Sequence, residues 1–411
     1  MEESETDFVA GRLEDEEENP APVLDQNPEI ISYGPNTMDL PPSPPHTPRT
    51  MSPVMFDAVD FEPDGMVSPE RTPTPDSMTT LRSNEVDSFY QEEGGRFYRR
   101  EPERPVLPSD AGEVSRVHEQ HEMYKLVLDG NYYGPVHEIL SRDTGDRPKR
   151  GLDISSHSPW LEELSFEFPH VHWKGIDFVP TRHPRPSEDY DGYPVTYEVY
   201  NYAEGIRCPD ETFDLVHARN TLATIPDYRR FMKEIYRILR PGGLLLWTDT
   251  HPAIFLADRT DPAVGVPGCV QLQRFLEGVL QMQGIDYHAL EHVEDLFESV
   301  VDPDVDDSET PGSSTSKKER RKPWSTFHHS VISIPNSPWD TSSHTSLEIG
   351  LRARQNILSH LSAISPLLRK MGKTEEEVIQ LREKIEDELG DGESGVESFH
   401  HYHTVWALKC G

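Results

Sequence analysis

Hydrophobic and polar positions change texture along this chain. From residue 1 to about 112 apolar side chains are sparse and without period; from about 113 onward helical and strand periods alternate; a polar stretch at 302–324 interrupts them. The most regular block runs from Phe213 to Asp249, FDLVHARNTLATIPDYRRFMKEIYRILRPGGLLLWTD. Phe213 to His217 is a short run suited to a buried strand. Asp227 is placed to cap the helix that follows, whose Phe231, Ile235, Ile238 and Leu239 share one face at i, i+4, i+7 and i+8. Lys233, Arg237 and Arg240 take the rest of that helix, the last two near its C-terminal end, where cations are favoured. Pro241-Gly242-Gly243 stops it, and Leu244 to Trp247 is a second apolar strand. Strand, helix and strand form a βαβ unit and predict a doubly wound parallel α/β sheet.

The same reading places elements on either side. Val117 to Tyr133 has helical spacing, and Arg150 to Ile154 reads as the first strand of the sheet. Ser158 as N-cap and Pro159 at the first helical position open a helix from Trp160 to Phe168. Val171 to Asp177 is the second strand and Val195 to Tyr200 the third. Beyond the central unit come a helix from Val270 to Gln283 with Gly284 at its end and a strand from Phe327 to Ile334. Helices follow at Ser346 to Met371 and Thr374 to Leu389. The last of these opens with a Thr374-x-x-Glu377 capping box and stops at Gly390. Tyr402 to Lys409 is the final strand.

Composition sharpens the division at residue 112. Of 37 prolines, 17 precede residue 109, and the first thirty residues hold eleven acids against one arginine. Residues 1–112 are therefore expected to be a disordered acidic tail and 113–411 one folded domain, with 302–324 a low-complexity insertion. Ser43-Pro44, Thr47-Pro48, Ser52-Pro53, Ser68-Pro69, Thr72-Pro73 and Thr74-Pro75 suit proline-directed kinases, or reflect composition alone. Lys317 to Lys322 reads as a solvated charge run, with a nuclear-import signal as the alternative. A net charge of −35 speaks against general nucleic-acid binding. Three separated cysteines, no apolar leader and no run of eighteen apolar residues suggest a soluble, reduced, intracellular protein, cytoplasmic or nuclear, without a membrane segment.

Candidate chemistry belongs at the carboxyl ends of the parallel strands, where four segments converge: Ser155 to Ser158, Asp177 to Val179, Asn201 to Glu204 and His217 to Asn220. Asp177 ends the second strand 22 residues beyond Ser155, a spacing suited to holding a ribose diol, although strands also end on Asp for turn reasons. His251, in Asp249-Thr250-His251, is a candidate general base. His328, His329, His400, His401 and His403 lie on or beside strands without metal-ligand spacing, so no metal site is expected. No Asn-Pro-Pro-Tyr, Gly-x-Ser-x-Gly or phosphate-binding loop occurs.

Taken in order, RGLDI, PWLEELSFEFP, GIDFVP, CPDETFDLVHARN and EIYRILRPGGLLLW resemble the class I S-adenosylmethionine-dependent methyltransferases over about residues 115–411. The likeness is strongest to the fungal branch of LaeA-like regulators of secondary metabolism. The resemblance implies a Rossmann-like seven-stranded methyltransferase sheet, with S-adenosylmethionine as cofactor and an unidentified methyl acceptor. It implies that Asp153, Ser155, Asp177, Phe178, Asn201, Ala203 and His217 flank the cofactor. Ala218, Arg219 and Asn220 would continue the floor near the sulfonium, with His217, Asn220 and His251 as candidates for catalysis. One departure stands out. Where the family writes Gly-x-Gly-x-Gly after Leu-Asp-Ile/Val, this chain has Ser155-Ser156-His157-Ser158-Pro159, one residue shorter before the tryptophan. Loss of those glycines predicts weakened cofactor binding, and leaves open a catalytically inactive scaffold or regulator.

Overall fold

The computed structural model describes residues 81, 83–100, 106–141, 147–180, 195–300, 322–392 and 394–411. The acidic N-terminal stretch, its six Ser/Thr-Pro steps and most of the 302–324 insertion, including Lys317 to Arg321, lie outside the described residues.

A seven-stranded sheet organises the chain. Its strands are β3 (Lys149–Ile154), β4 (Val171–Asp177), β5 (Val195–Val199), β6 (Phe213–Arg219), β7 (Leu239–Leu256), β8 (Trp324–Pro335) and β9 (Ser398–Lys409), in the spatial order β5-β4-β3-β6-β7-β9-β8. The pairs from β5 to β7 are parallel, and β9 is antiparallel to both β7 and β8. The doubly wound sheet expected from the sequence is therefore present. Two strands, β1 (Tyr90–Glu93) and β2 (Arg96–Arg99), form a separate hairpin.

Side-chain alternation along the central strands decides which helices pack where. Val216, Leu245 and Trp247 face α4 (Tyr228–Ile238) and α7 (Val293–Glu298), burying Phe231, Ile235 and Phe297 with them. Their neighbours Leu215, Leu244 and Leu246 face the other way, onto α2 (Val136–Ser141) and α3 (Trp160–Glu167). Two smaller cores flank these. One joins α1 (Ala111–Leu128) to α8 (His344–Lys370) over β8 and β9; the other gathers α6 (Pro267–Met282), which follows the short α5 (Pro262–Gly265), with α8 and α9 (Glu375–Leu389). Gly151 in β3 admits the Trp173 ring: a Cβ there would stand 2.3 Å from it.

The helix caps follow the sequence where a side chain can reach. Asp227 accepts from Arg230 N at 2.9 Å, and the Thr374–Glu377 capping box is complete. Other boundaries moved. The first helix ends at Leu128, with Asp129 in the left-handed region, instead of running on to Tyr133. Leu239 and Arg240 leave α4 and begin β7, so Pro241-Gly242-Gly243 lies within the strand, and β7 continues to Leu256 because β9 supplies partners beyond Trp247. Trp324 opens β8 rather than closing the insertion.

That shift gives Arg240 a different task from helix capping. Its guanidinium donates to Asp214 at 2.7 Å, alongside Arg147 at 3.0 Å and the Arg150 amide at 3.0 Å. Burial works to raise the Asp214 carboxyl, but these donors outweigh it and hold the group below its ordinary range. The stabilisation is present above the unfolded value of about 4 and is lost as pH falls through the lower folded value. Asp214→Ala is expected to cost about 2 kcal/mol at neutral pH, the lower part of the range because Arg147 is solvated. Urea unfolding should show the gap from wild type shrinking below about pH 4.

Candidate functional site

The strands β3, β4, β6 and β7 all end on one edge of the sheet, and the chain turns outward in opposite directions from β3 and β6. A cavity of about 1220 Å³ opens at that switch point. Ser155, His157, Asp177, Phe178, Asn220 and His251 are among its walls. The β3, β4 and β6 ends thus meet where the sequence placed them.

The loop after β3 carries the departure from the glycine pattern, and its backbone keeps the turn. Ser155 has φ +65°, in the left-handed region that glycine would occupy at no cost. The Ser155 and Ser156 amides both donate to the Ile176 carbonyl, at 3.0 and 3.3 Å, tying the turn to β4. Gly175 leaves room below it, since a Cβ there would lie 2.7 Å from Ser156 Oγ. Holding a serine in this region costs on the order of 1–3 kcal/mol. Ser155→Val, β-branched, should therefore unfold at lower urea than Ser155→Gly, by about 2 kcal/mol, while the glycine variant should match or exceed wild type.

His157 and Ser158 replace the remaining small residues with side chains that bond. His157 Nδ1 lies 3.1 Å from Asp177 Oδ2 and 3.2 Å from Ser155 Oγ. Burial works against its charged form, but the Asp177 carboxylate prevails and the imidazole titrates above its ordinary value. Ser158 does not cap α3. Its Oγ accepts from Arg219 Nη2 at 2.6 Å, and Pro159 stands at the cap position without a side-chain bond.

Asp177 is 7% exposed, and Oδ1 accepts from the Phe178 amide at 2.7 Å. A carboxylate offers about four acceptor sites, so two remain for a ligand after His157 and Phe178 are served. Phe178 packs its ring 4.2 Å from that of Tyr202, and the Arg99 guanidinium lies 4.1 Å from the Phe178 ring centre.

Other sequence-predicted residues serve the scaffold. His217 Nδ1 is 2.7 Å from Asp153 Oδ1, and its ring stacks on Trp160 at 3.7 Å, all of it buried between β3, β6 and α3. Burial depresses the His217 imidazole despite the Asp153 partner. Neither residue is in the cavity wall. Asn201 caps a single turn of 3-10 helix: its Oδ1 accepts from the Ala203 amide at 3.2 Å and its Nδ2 donates to Glu204 at 2.8 Å. Ala203 packs against the main core, and neither of these two lines the cavity either.

The β7 side brings in residues of different character. Asp249 is 3% exposed and gathers the amides of Thr221, Leu222 and Thr250 at 2.6, 2.9 and 3.0 Å. Burial pushes its carboxyl up to about 7 against those donors. Asn220, with φ +54°, donates to Gln120 and receives the Tyr124 hydroxyl at 3.4 Å; that hydroxyl also lies 2.9 Å from Thr250 Oγ1. His251 also lines the cavity; its Nδ1 accepts from the Ala253 amide at 3.1 Å, and its Nε2 lies 3.6 Å from Glu291.

Sequence reasoning missed the hairpin. The stretch read as tail to residue 112 contains β1, β2 and the start of α1, fastened by the Arg96–Asp110 ion pair at 2.6 Å and the Tyr90 hydroxyl on Pro180 O at 2.6 Å. The available signal was the alternation YQEEGGRFYR around Gly94-Gly95. Among the described residues the histidines of β8 and β9 pair locally, His328 over Trp406 and His329 with His403 at 3.1 Å. Among the described residues, His121, Glu122 and Glu163 lie close enough together to hold an ion. Lys125 already places its ammonium 3.0 Å from Glu163 and 3.4 Å from Glu122.

This geometry suits a nucleoside cofactor: the cavity is large enough, the left-handed turn after β3 persists, and Asp177 has acceptor sites left at the end of β4. Comparison with known proteins agrees in class. The methyltransferase-domain family profile matches residues 160–247. The chain is 31% identical over 202 residues to the secondary metabolism regulator laeA of Coprinopsis cinerea, covering 48% of this chain and 46% of that protein. It is 30% identical over 146 residues to methyltransferase str3 of Strobilurus tenacellus, covering 35% of this chain and 47% of that one. Among solved structures, phosphoethanolamine N-methyltransferase 2 of Haemonchus contortus, in complex with S-adenosyl-L-methionine, aligns over 80% of this chain and 73% of its own at 17% identity and TM-score 0.35. The chain is thus similar to S-adenosylmethionine-dependent methyltransferases, the laeA regulator among its relatives, and it spans less than half the length of the curated relatives it matches. Among the described residues no helix is long and apolar enough to cross a membrane.

Proposed function

We propose that this chain binds S-adenosylmethionine at the β3–β4 edge and transfers its methyl group to an acceptor held on the β6–β7 side of the same cavity. The observation that carries the reading is Asp177, a carboxylate in the cavity wall at the end of β4 with acceptor sites remaining. Asp177 would receive the ribose hydroxyls, Phe178 would pack against the base, and the amide-anchored turn at Ser155 would run beside the methionine portion. When bound, the cofactor supplies an activated methyl group. The protein supplies placement, fixing donor and acceptor in line, which accounts for much of the acceleration in such a displacement. Asn220 and Thr250, each bonded to the buried Tyr124 hydroxyl behind them, would form a polar rim on the acceptor side that holds its orientation without taking a proton.

Equilibrium dialysis of the full chain against methyl-labelled S-adenosylmethionine tests the reading. Saturable retention, displaced by S-adenosylhomocysteine, is the expected result. No retention at millimolar ligand would favour the non-catalytic scaffold instead.

A further inference from the structure

We propose that the end of the cavity away from Asp177 is the acceptor pocket, and that it takes an uncharged, largely apolar small molecule bearing a hydroxyl. The inference rests on the methyl-transfer reading above. At about 1220 Å³ the cavity exceeds the roughly 300–1,000 Å³ of a typical single-ligand site, leaving room for a second molecule. Its two ends differ in chemistry. Ser155, His157 and Asp177 give one part of the wall its polar groups, whereas Val106, Ile254, Leu272, Leu276, Leu280 and Ile357, from β7, α6, α8 and the segment before α1, bring to the other an apolar cluster separate from the one that holds Phe178.

The polar groups in that apolar end are neutral. His360 lines it, and its buried Nε2 has no hydrogen-bond partner. His400 Nδ1 and Asn336 Oδ1, 2.6 Å apart, lie in the same wall. Burial pushes His360 down to about 3 and His400 to about 4, so both rings are uncharged at neutral pH. The nearby charges are matched to each other: Arg116 donates to Glu113 at 2.7 Å and to Asn356 at 2.6 Å. A lysine or arginine side chain entering here would meet no unmatched carboxylate and would be desolvated without compensation. A hydroxyl, in contrast, would supply the donor that His360 Nε2 lacks, while its carbon frame fills the space beside α6.

The matched probes 2-naphthol and naphthalene, titrated by fluorescence into the full chain, test this. Saturable 2-naphthol binding is expected, and Leu276→Trp should weaken it at least tenfold while S-adenosylhomocysteine still binds. His360→Ala should weaken 2-naphthol about three- to tenfold, the scale of one neutral hydrogen bond, and leave naphthalene unchanged. Failure of 2-naphthol to bind, or indifference to both substitutions, overturns the acceptor assignment if S-adenosylhomocysteine binds normally. A lysine-rich peptide displacing 2-naphthol would also overturn it. Loss of S-adenosylhomocysteine binding in the wild-type chain would instead remove the methyl-transfer reading, and this inference with it.

Discussion

Asp177→Ala is expected to weaken S-adenosylmethionine binding roughly a hundredfold or more. Two hydrogen bonds from ribose hydroxyls to a carboxylate are worth about 1.5–3 kcal/mol each, and about 1.4 kcal/mol is a factor of ten. The substitution also removes the carboxylate that now engages His157. His157→Gly separates the effects. It leaves Asp177 in place, frees one of its acceptor sites and restores a glycine to the loop, so affinity should hold or improve. The pH dependence carries the same signature. Because the His157 imidazole titrates above its ordinary value, raising pH through that value removes the proton and loosens its hold on Asp177. Ligand affinity should rise over that window in wild type and stay flat in His157→Gly. Competition binding against S-adenosylhomocysteine at several pH values checks both variants.

The largest effect on stability is expected at Asp249→Ala. The wild-type carboxylate serves three backbone amides and the Thr221 hydroxyl, and Thr221 itself is fully buried. Stranding those donors costs about 1–3 kcal/mol each, tempered by whatever water enters from the cavity, so about 3 kcal/mol or more is the expected loss. The pH signature runs opposite to that of Asp214. With the folded group at about 7 and the unfolded group near 4, the native state binds the extra proton. The contribution is therefore fully present below about pH 4 and is lost as pH rises through the folded value. Urea unfolding should show wild type losing stability over that interval and Asp249→Ala lacking that slope.

The sheet was legible because the strands alternate faces without interruption: Leu215 and Val216, then Leu244 and Leu245, assign themselves to opposite sides. The Asp227 and Thr374 caps were legible because their partners lie within three residues. What escaped depended on distant chain. The extension of β7 needs β9, about 150 residues later, and the hairpin at Tyr90–Arg99 needs Pro180 and Asp110 to hold it. In the site, Asp177 could be placed from its position at a strand end. His217 and Asp153 could not be separated from it by sequence, because burial against Trp160 is a property of the assembled layers. The glycine loss was visible, but its consequence was not: Ser155 keeps the left-handed turn because two amides fasten it to Ile176. The sequence difference therefore changes what lines the cofactor end more than it changes the backbone there.

The central claim is that this altered loop still leaves a working cofactor site. Calorimetric titration of the full chain with S-adenosylhomocysteine tests it most directly. Saturable binding in the micromolar range, lost in Asp177→Ala and kept in His157→Gly, is the predicted result. Absence of heat at millimolar ligand in both wild type and His157→Gly would contradict it.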